Sequence, residues 1–183
     1  GATVVATLLF GDLTNPWVRM GLGLLIVLAV AGALDDRSKL RGGGGLSRGP
    51  KWAWTITVGC AVAGLVVWLG PSVNAPETRL MVFPFVRDLS WDSAAWGMAG
   101  LLLVVGFGAF VIVACANAVN IVDGMDGLAG GLALMATAGM TVNTYLCGHA
   151  QLADYLGIVH VSHSGELTVM GAALAGSLLG FLW

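Results

Sequence analysis

The chain has 183 residues, of which 57% are hydrophobic and 10% are charged, and its formal net charge at pH 7 is −2. A soluble domain normally carries about 25% charged residues, so this composition and a mean hydropathy of +0.89 argue against a soluble globular protein. The sequence contains no basic patch of the kind that would predict a nucleic-acid partner, so we expect none. Cys60, Cys115 and Cys147 lack the spacing of a zinc site or a disulfide framework.

Apolar runs of about 17–25 residues predict transmembrane helices, and the chain therefore predicts an all-α, polytopic membrane fold with about five spans. Residues 1–10 are too short to cross a bilayer, so they predict the tail of an earlier span that leads into a turn. The full spans are predicted at 17–34, 52–69, 96–116, 128–146 and 167–183. We expect one integral-membrane domain over residues 1–183 that is a fragment of a longer protein.

Positive charge predicts the orientation of these spans. Residues 35–51 hold five of the eight basic residues, so this loop is predicted to be cytoplasmic. The loop over 70–95 balances its two arginines with three acids and is predicted to face outward. Two predicted spans separate residues 35–36 from residues 117–127, so both polar segments are predicted to emerge on the cytoplasmic face.

The first polar segment directly follows an apolar run. Asp35 and Asp36 are followed by Lys39, which would share one side of a continuing helix with them. A carboxylate at the bilayer centre costs about 2.5–3.5 kcal/mol on insertion scales, so acids placed at the ends of apolar segments favour a functional role. The alternative interpretation is an ordinary solvated helix end.

The second polar segment has a period of three residues. Asn117, Asn120, Asp123 and Asp126 form a drifting polar stripe if they lie on a helix. Their oxygens suit Mg²⁺ or Mn²⁺, and Mg²⁺ takes its remaining ligands from water and substrate phosphates. Together with nearby basic residues, this pattern suits phosphoryl transfer. The alternative interpretation is that these side chains only cap and end a helix.

Other polar features carry less functional information. Gly42–Gly45 has no Gly-Lys-Ser/Thr after it, so it is interpreted as a loop and not as a phosphate-binding P-loop. His149, His160 and His163 lie in the predicted outward loop over 147–166 and are interpreted as surface residues rather than metal ligands.

The two polar segments resemble motifs of the polyprenyl-phosphate sugar-1-phosphate transferases. Residues 34–39 resemble the family's Asp-Asp-x-x-Lys motif, and 45–51 resemble its Gly-Leu-Ser…Lys segment. Residues 117–129 resemble Asn-Ala-Val-Asn-Leu-Thr-Asp-Gly-Leu-Asp-Gly-Leu-Ala, which is the most specific of the three. Segments 153–158, 165–167 and 180–183 extend the similarity and favour the family's muramoyl-pentapeptide branch.

The resemblance implies a Mg²⁺-dependent enzyme of the bacterial cytoplasmic membrane, with its active site facing the cytoplasm. It would transfer phospho-MurNAc-pentapeptide from UDP-MurNAc-pentapeptide to undecaprenyl phosphate, which gives lipid I and UMP for peptidoglycan synthesis, cell shape and cell division. The implied catalytic residues are Asp35, Asp36 and Asp123, with Asp35 and Asp36 also as metal ligands. The implied substrate-binding residues are Lys39, Lys51, Asn120, Gly124, Met125 and Asp126.

Several alternatives stay open at this point. A sister enzyme would transfer GlcNAc-1-phosphate to the same carrier, and a protein of another class would be an ion-coupled transporter with intramembrane acids. A homodimer is compatible with the resemblance, and oligomeric state is not predicted. A further metal-binding Asp of the family lies beyond the position of Trp183, so we expect the 183-residue chain alone to be inactive and its parent to be an enzyme.

Overall fold

A computed structural model describes the backbone of residues 1–40, 48–82, 90–124 and 126–183. Within those ranges it describes all side chains except those at 31, 34–36, 38–40, 48, 50, 51, 73 and 120. The fold is all-α, as predicted. The helices are α1 (Ala2–Phe10), α2 (Pro16–Leu40), α3 (Arg48–Leu69), α4 (Gly97–Val122), α5 (Leu128–Gly148), α6 (Ala150–Leu156) and α7 (Leu167–Leu182).

Short elements fill the connection between α3 and α4. Single 3₁₀ turns lie at Gly70–Val73, Pro76–Arg79 and Ser93–Trp96. Strands β1 (Leu80–Val82) and β2 (Ser90–Asp92) pair antiparallel. A further 3₁₀ turn, Ser164–Glu166, precedes α7.

The helices have the length and surface of membrane helices. In the described residues, Trp52–Ser72, Ser93–Val119 and Ser164–Leu182 are long and apolar enough to cross a bilayer, and Pro16–Val30 is a shorter apolar helix. Large apolar side chains such as Phe110 and Met135 are 68% and 74% exposed. Such surfaces are unfavourable in water but match lipid, so the predicted membrane class is confirmed. The individual span boundaries stay predictions.

Helices α3 and α4 form an antiparallel pair through small residues. A Cβ atom built on Gly59 would lie 3.3 Å from the Ala109 carbonyl oxygen, and one built on Gly108 would lie 3.1 Å from Ala63 Cβ. As residue numbers rise along α3, the contacts fall along α4, which defines the antiparallel direction. Small residues permit this close approach where lipid gives no hydrophobic drive between helices.

Helix α7 is the common neighbour of α1, α2 and α5. It runs antiparallel to α5, because Gly171 lies against Thr141 while Gly130, at the start of α5, lies against Leu182 at the end of α7. In the last turn of α5, Gly148 packs directly on Gly165.

Helix α2 runs parallel to α7. Gly21, near the start of α2, packs on Met170, near the start of α7. Farther along, Ala33 of α2 and Gly1 line the same groove. Close to Gly1, Thr3 Oγ1 donates a hydrogen bond of 2.9 Å to Ser177 Oγ in the second half of α7.

These directions define two ends of the helix bundle. One end, called the acidic end here, holds the end of α2, the start of α3, the end of α4, the start of α5 and the end of α7. The other, called the hairpin end, holds the turn over 11–15, the β-hairpin and the loop over 157–166. Apolar side chains dominate the long helices. Close contacts at small residues determine the direction and height at which these helices pack on one another.

Candidate functional site

The second polar segment is an exposed loop where α4 gives way to α5. Asp123 ends α4, and its N–H donates to the Val119 carbonyl at 3.1 Å. The Gly124 N–H then donates to the Val122 carbonyl at 2.7 Å, which turns the chain sharply. Asp123, Gly124 and Asp126 are exposed, so these carboxylates face away from the packed helices.

Only part of the predicted polar stripe stays on a helix. Asn117 lies in α4, and its Nδ2 donates to the Val113 carbonyl of the same helix at 2.8 Å. This amide is therefore engaged with its own backbone. The side chain of Asn120 and the whole of Met125 lie outside the described residues.

Gly127 begins α5 with a conformation that favours glycine. Its φ is +79°, in the left-handed region, and its carbonyl accepts the Gly131 N–H at 2.8 Å. A residue with a Cβ atom would be strained at this φ. The loop that carries Asp123 and Asp126 is therefore held at one side by the end of α4 and at the other by this glycine.

The last turn of α7 packs against the start of α5. A Cβ atom built on Gly130 would lie 2.9 Å from Leu182 Cδ2 and 3.6 Å from Phe181 Cδ1. One built on Gly127 would lie 3.8 Å from Leu182 Cδ2. The contact of Leu182 with Gly130 was not predicted from the sequence. A helical hydrophobic pattern does not specify which residues of two helices, here about fifty positions apart, pack together.

The first polar segment lies on the last turns of α2. The helix continues to Leu40, so the backbone of Asp35, Asp36 and Lys39 is helical, as the spacing argument required. The side chains of these three residues, and that of Lys51 near the start of α3, lie outside the described part of the chain.

The two polar segments lie at similar heights along the bundle. At about 1.5 Å per residue, α2 advances about 22 Å from Gly21 to Asp36, while α7 advances about 18 Å from Met170 to Leu182. Since Gly21 packs on Met170, and Leu182 packs on the start of α5, the end of α2 reaches the level of the 123–127 loop. The start of α3 reaches the same end because α3 is antiparallel to α4.

The described acids supply the hard oxygen ligands that Mg²⁺ prefers, but they do not form a complete metal site. Among the side chains that the structure describes, no group of three or more His, Cys, Asp or Glu forms a ready-made metal site. Mg²⁺ needs only one or two carboxylates when phosphates and water complete its shell. The exposed carboxylates of Asp123 and Asp126 therefore fit that ion's chemistry. The tentative metal ligands Asp35 and Asp36 stay predictions.

The histidines lie at the hairpin end, away from these acids. His149 and His163 are exposed, and His160 Nδ1 lies 2.9 Å from the Cys147 carbonyl oxygen. The His163 carbonyl accepts a 2.9 Å hydrogen bond from Asn15 Nδ2. These are contacts of a folded loop, and the interpretation of the three histidines as surface residues stays a prediction.

Comparison with known proteins finds a matching family model and similar curated proteins. The model of the family described as "Glycosyl transferase family 4" matches residues 18–183, which include both polar segments. A phospho-N-acetylmuramoyl-pentapeptide-transferase of Helicobacter hepaticus is 34% identical over 98% of this chain and 49% of its own length. The chain thus spans about half the length of this curated relative.

Proposed function

We propose, since this chain belongs to glycosyl transferase family 4, that its full-length protein is a membrane transferase that makes a lipid-linked peptidoglycan precursor. The proposed reaction moves phospho-MurNAc-pentapeptide from UDP-MurNAc-pentapeptide to undecaprenyl phosphate. The observation that carries this proposal is 34% identity, across nearly the whole chain, to a relative whose name states the sugar-phosphate group transferred. The common end reached by the two acidic segments supports it.

The chemistry is a displacement at phosphorus. A phosphate oxygen of undecaprenyl phosphate attacks the β-phosphorus of the UDP-sugar and forms a new diphosphate bond. The bond from that phosphorus to the bridging oxygen breaks, and UMP leaves with the electron pair. The protein contributes positioning and charge stabilisation, which supply most of the catalysis in phosphoryl transfer.

The end of α2 is proposed to serve the lipid phosphate. Asp35 is the candidate base that keeps this phosphate deprotonated, and Asp36 supports the catalytic centre. Lys39, one turn later on the same helix, would hold phosphate oxygens. Lys51, in the first turn of α3, would do the same from the neighbouring helix.

The loop between α4 and α5 is proposed to receive the nucleotide. Asn120, Asp123, Gly124, Met125 and Asp126 are the proposed contacts. Among described atoms, none lies within 4 Å of a Cβ atom built on Gly124, so the backbone is open to a flat or bulky ligand there. Exposed carboxylates on either side can orient ribose and phosphate groups through hydrogen bonds or a shared cation.

Mg²⁺ is the proposed cofactor, with Mn²⁺ as a substitute. Asp35 and Asp36 are proposed to hold it, and Asp123 faces the same end of the bundle. When bound, the ion neutralises developing charge on the phosphates. The proposed setting is the bacterial cytoplasmic membrane, with the acidic end inside. The end of α2 and the start of α3 carry Arg37, Lys39, Arg48 and Lys51 at that end, and basic residues favour the cytoplasmic side.

A UMP-release assay on the full-length protein tests the proposal. Undecaprenyl phosphate and Mg²⁺ are supplied with either UDP-MurNAc-pentapeptide or UDP-GlcNAc. We expect release with the first donor only. Release with UDP-GlcNAc alone would assign the protein to the sister GlcNAc-1-phosphate transferases, and release with neither donor would contradict the proposal. The 183-residue chain alone is expected to be inactive in this assay.

A further inference from the structure

We propose that the last turn of α7 positions the 123–127 loop for the reaction through the contact of Leu182 with Gly130 and Gly127. This inference rests on the proposed function of that loop. Leu182 and Gly130 are then positioning residues, since they act through the loop and not on the substrate.

The 123–127 loop is held at its α4 end and at its α5 end by different contacts. On the α4 side, it is held by backbone hydrogen bonds of Asp123 and Gly124 to residues within the same helix end. On the α5 side, it depends on Gly127, whose left-handed φ fixes where the first turn of α5 begins. Because α5 packs far more on α7 than on α4, the place of that first turn is set mainly by α7.

The same helix also carries α2. Gly21 of α2 would place a Cβ atom 2.7 Å from the Met170 sulfur and 4.0 Å from Leu167 Cδ2. Helix α7 therefore contacts α2, which leads to the first acidic segment, at its first turns. It contacts α5, which follows the second acidic segment, from the level of Gly171 to its last turn. A slide of α5 along α7 would change the height of Asp123 and Asp126 relative to Asp36.

An added methyl group would meet the Leu182 side chain at Gly130 but no described atom at Gly131. A methyl group on Gly130 would lie 2.9 Å from Leu182 Cδ2, closer than carbon atoms approach, so either the leucine or the turn must move. In the described surroundings of Gly131, no atom lies within 4 Å of an added Cβ atom. Both substitutions raise helix propensity alike, so Gly131→Ala is a matched control for Gly130→Ala.

The test compares four variants of the full-length protein with the wild type. They are Gly130→Ala, Gly131→Ala, Leu182→Ala and the double variant Gly130→Ala/Leu182→Ala. For each, kcat and KM for the UDP-sugar are measured by UMP release, and amide hydrogen exchange is followed over residues 123–127. Thermal unfolding in detergent reports whether the variant is folded.

We expect Gly130→Ala to lower kcat/KM about tenfold, since a displacement of about 1 Å can cost up to about a hundredfold, and to speed exchange in the loop. Gly131→Ala should stay within about twofold of wild type, as open positions usually do. Leu182→Ala should also lower kcat/KM, because it removes the Leu182 contact with the first turn of α5. The double variant should regain most of the loss of Gly130→Ala, because the added methyl group then has space.

Equal kcat/KM and equal loop exchange in Gly130→Ala and Gly131→Ala would overturn the inference. So would a double variant as impaired as the sum of its single changes. If Gly130→Ala does not fold, Leu182→Ala, which only removes atoms, gives the same comparison with the wild type. Absence of UMP release from the wild type would instead refute the proposed function, while the exchange data would still show whether Leu182 holds the loop.

Discussion

The two ends of the bundle are built in opposite ways. At the hairpin end, polar side chains bind backbone across the chain: Asn15 caps α2 with a 2.8 Å bond from the Trp17 N–H and also holds the His163 carbonyl. The Trp17 indole N–H donates to the Ser162 carbonyl at 3.1 Å. At the acidic end, carboxylates are exposed and glycines lie beside them. The hairpin end is therefore held by hydrogen bonds between distant segments, and the acidic end is the one that we propose binds the substrates.

The largest expected effect is on activity at the acidic end. In the full-length protein, Asp123→Asn should reduce UMP release at least about a hundredfold, because a positioned charge in phosphoryl transfer contributes on the order of several kcal/mol. Its thermal unfolding should match wild type, since Asp123 is exposed. Asp36→Asn should reduce UMP release to a similar extent.

Asp12→Asn is the matched control from the opposite end. It removes an exposed carboxylate from the turn before α2 and should leave UMP release within about twofold of wild type. Wild-type turnover in the Asp123→Asn protein would contradict the functional role that we propose for the acidic end.

The next effect is on stability at the hairpin end. Gly148→Ala should destabilise the protein by about 1–3 kcal/mol, because the added methyl group meets the Gly165 backbone, which cannot give way as a side chain can. Gly139→Ala, in the middle of the same helix, is the control, since the described residues place no atom within 4 Å of its Cβ position. Reversible unfolding in detergent would measure both, and equal stability of the two variants would contradict the packing described.

A smaller loss of stability is expected from Asn15→Ala. This change removes the side-chain cap of α2, which typically contributes about 1 kcal/mol, together with the bond to the His163 carbonyl. Activity per folded molecule should be retained because the site lies at the far end of α2. Loss of turnover without loss of stability would show that the two ends are not separate in role.

The smallest effect concerns proton binding at Asp12. The Thr14 hydroxyl, and then the Thr14 N–H, donate to Asp12 Oδ1 and hold the pKa of that carboxyl below its ordinary value. A carboxyl whose pKa is lowered by folding favours the folded state at pH above its unfolded pKa, and this contribution disappears as pH falls through the folded pKa. Thr14→Val should therefore raise the Asp12 pKa, as carbon-detected NMR of the carboxyl would show. An unchanged pKa would mean that the hydroxyl bond does not persist in solution.

Sequence analysis predicted the class and the family but not the contacts that align the helices. The all-α membrane fold follows from apolar runs, and the family predicted from the two acidic motifs is confirmed by the matches. Such features are local, so they can be predicted from periodicity and motif alone.

Other features depend on distant partners. The Leu182–Gly130 contact and the Asn15–His163 bond join segments far apart in sequence. The hairpin of β1 and β2 lies in a region predicted only as an outward loop, because strands of three residues have too little alternation to stand out. Helix α6 has only seven residues, so its hydrophobic pattern was also too short to predict it.

The central claim is that the two acidic segments meet at one end of the bundle. Spin labels on Asp36→Cys and Asp123→Cys would measure the separation directly by pulsed electron resonance. The full-length protein used for this carries alanine in place of every native cysteine, including Cys60, Cys115 and Cys147. We predict a distance of less than about 20 Å, well below the bilayer core of about 30 Å. A distance of about 30 Å or more would place the segments on opposite sides of the membrane and contradict the account.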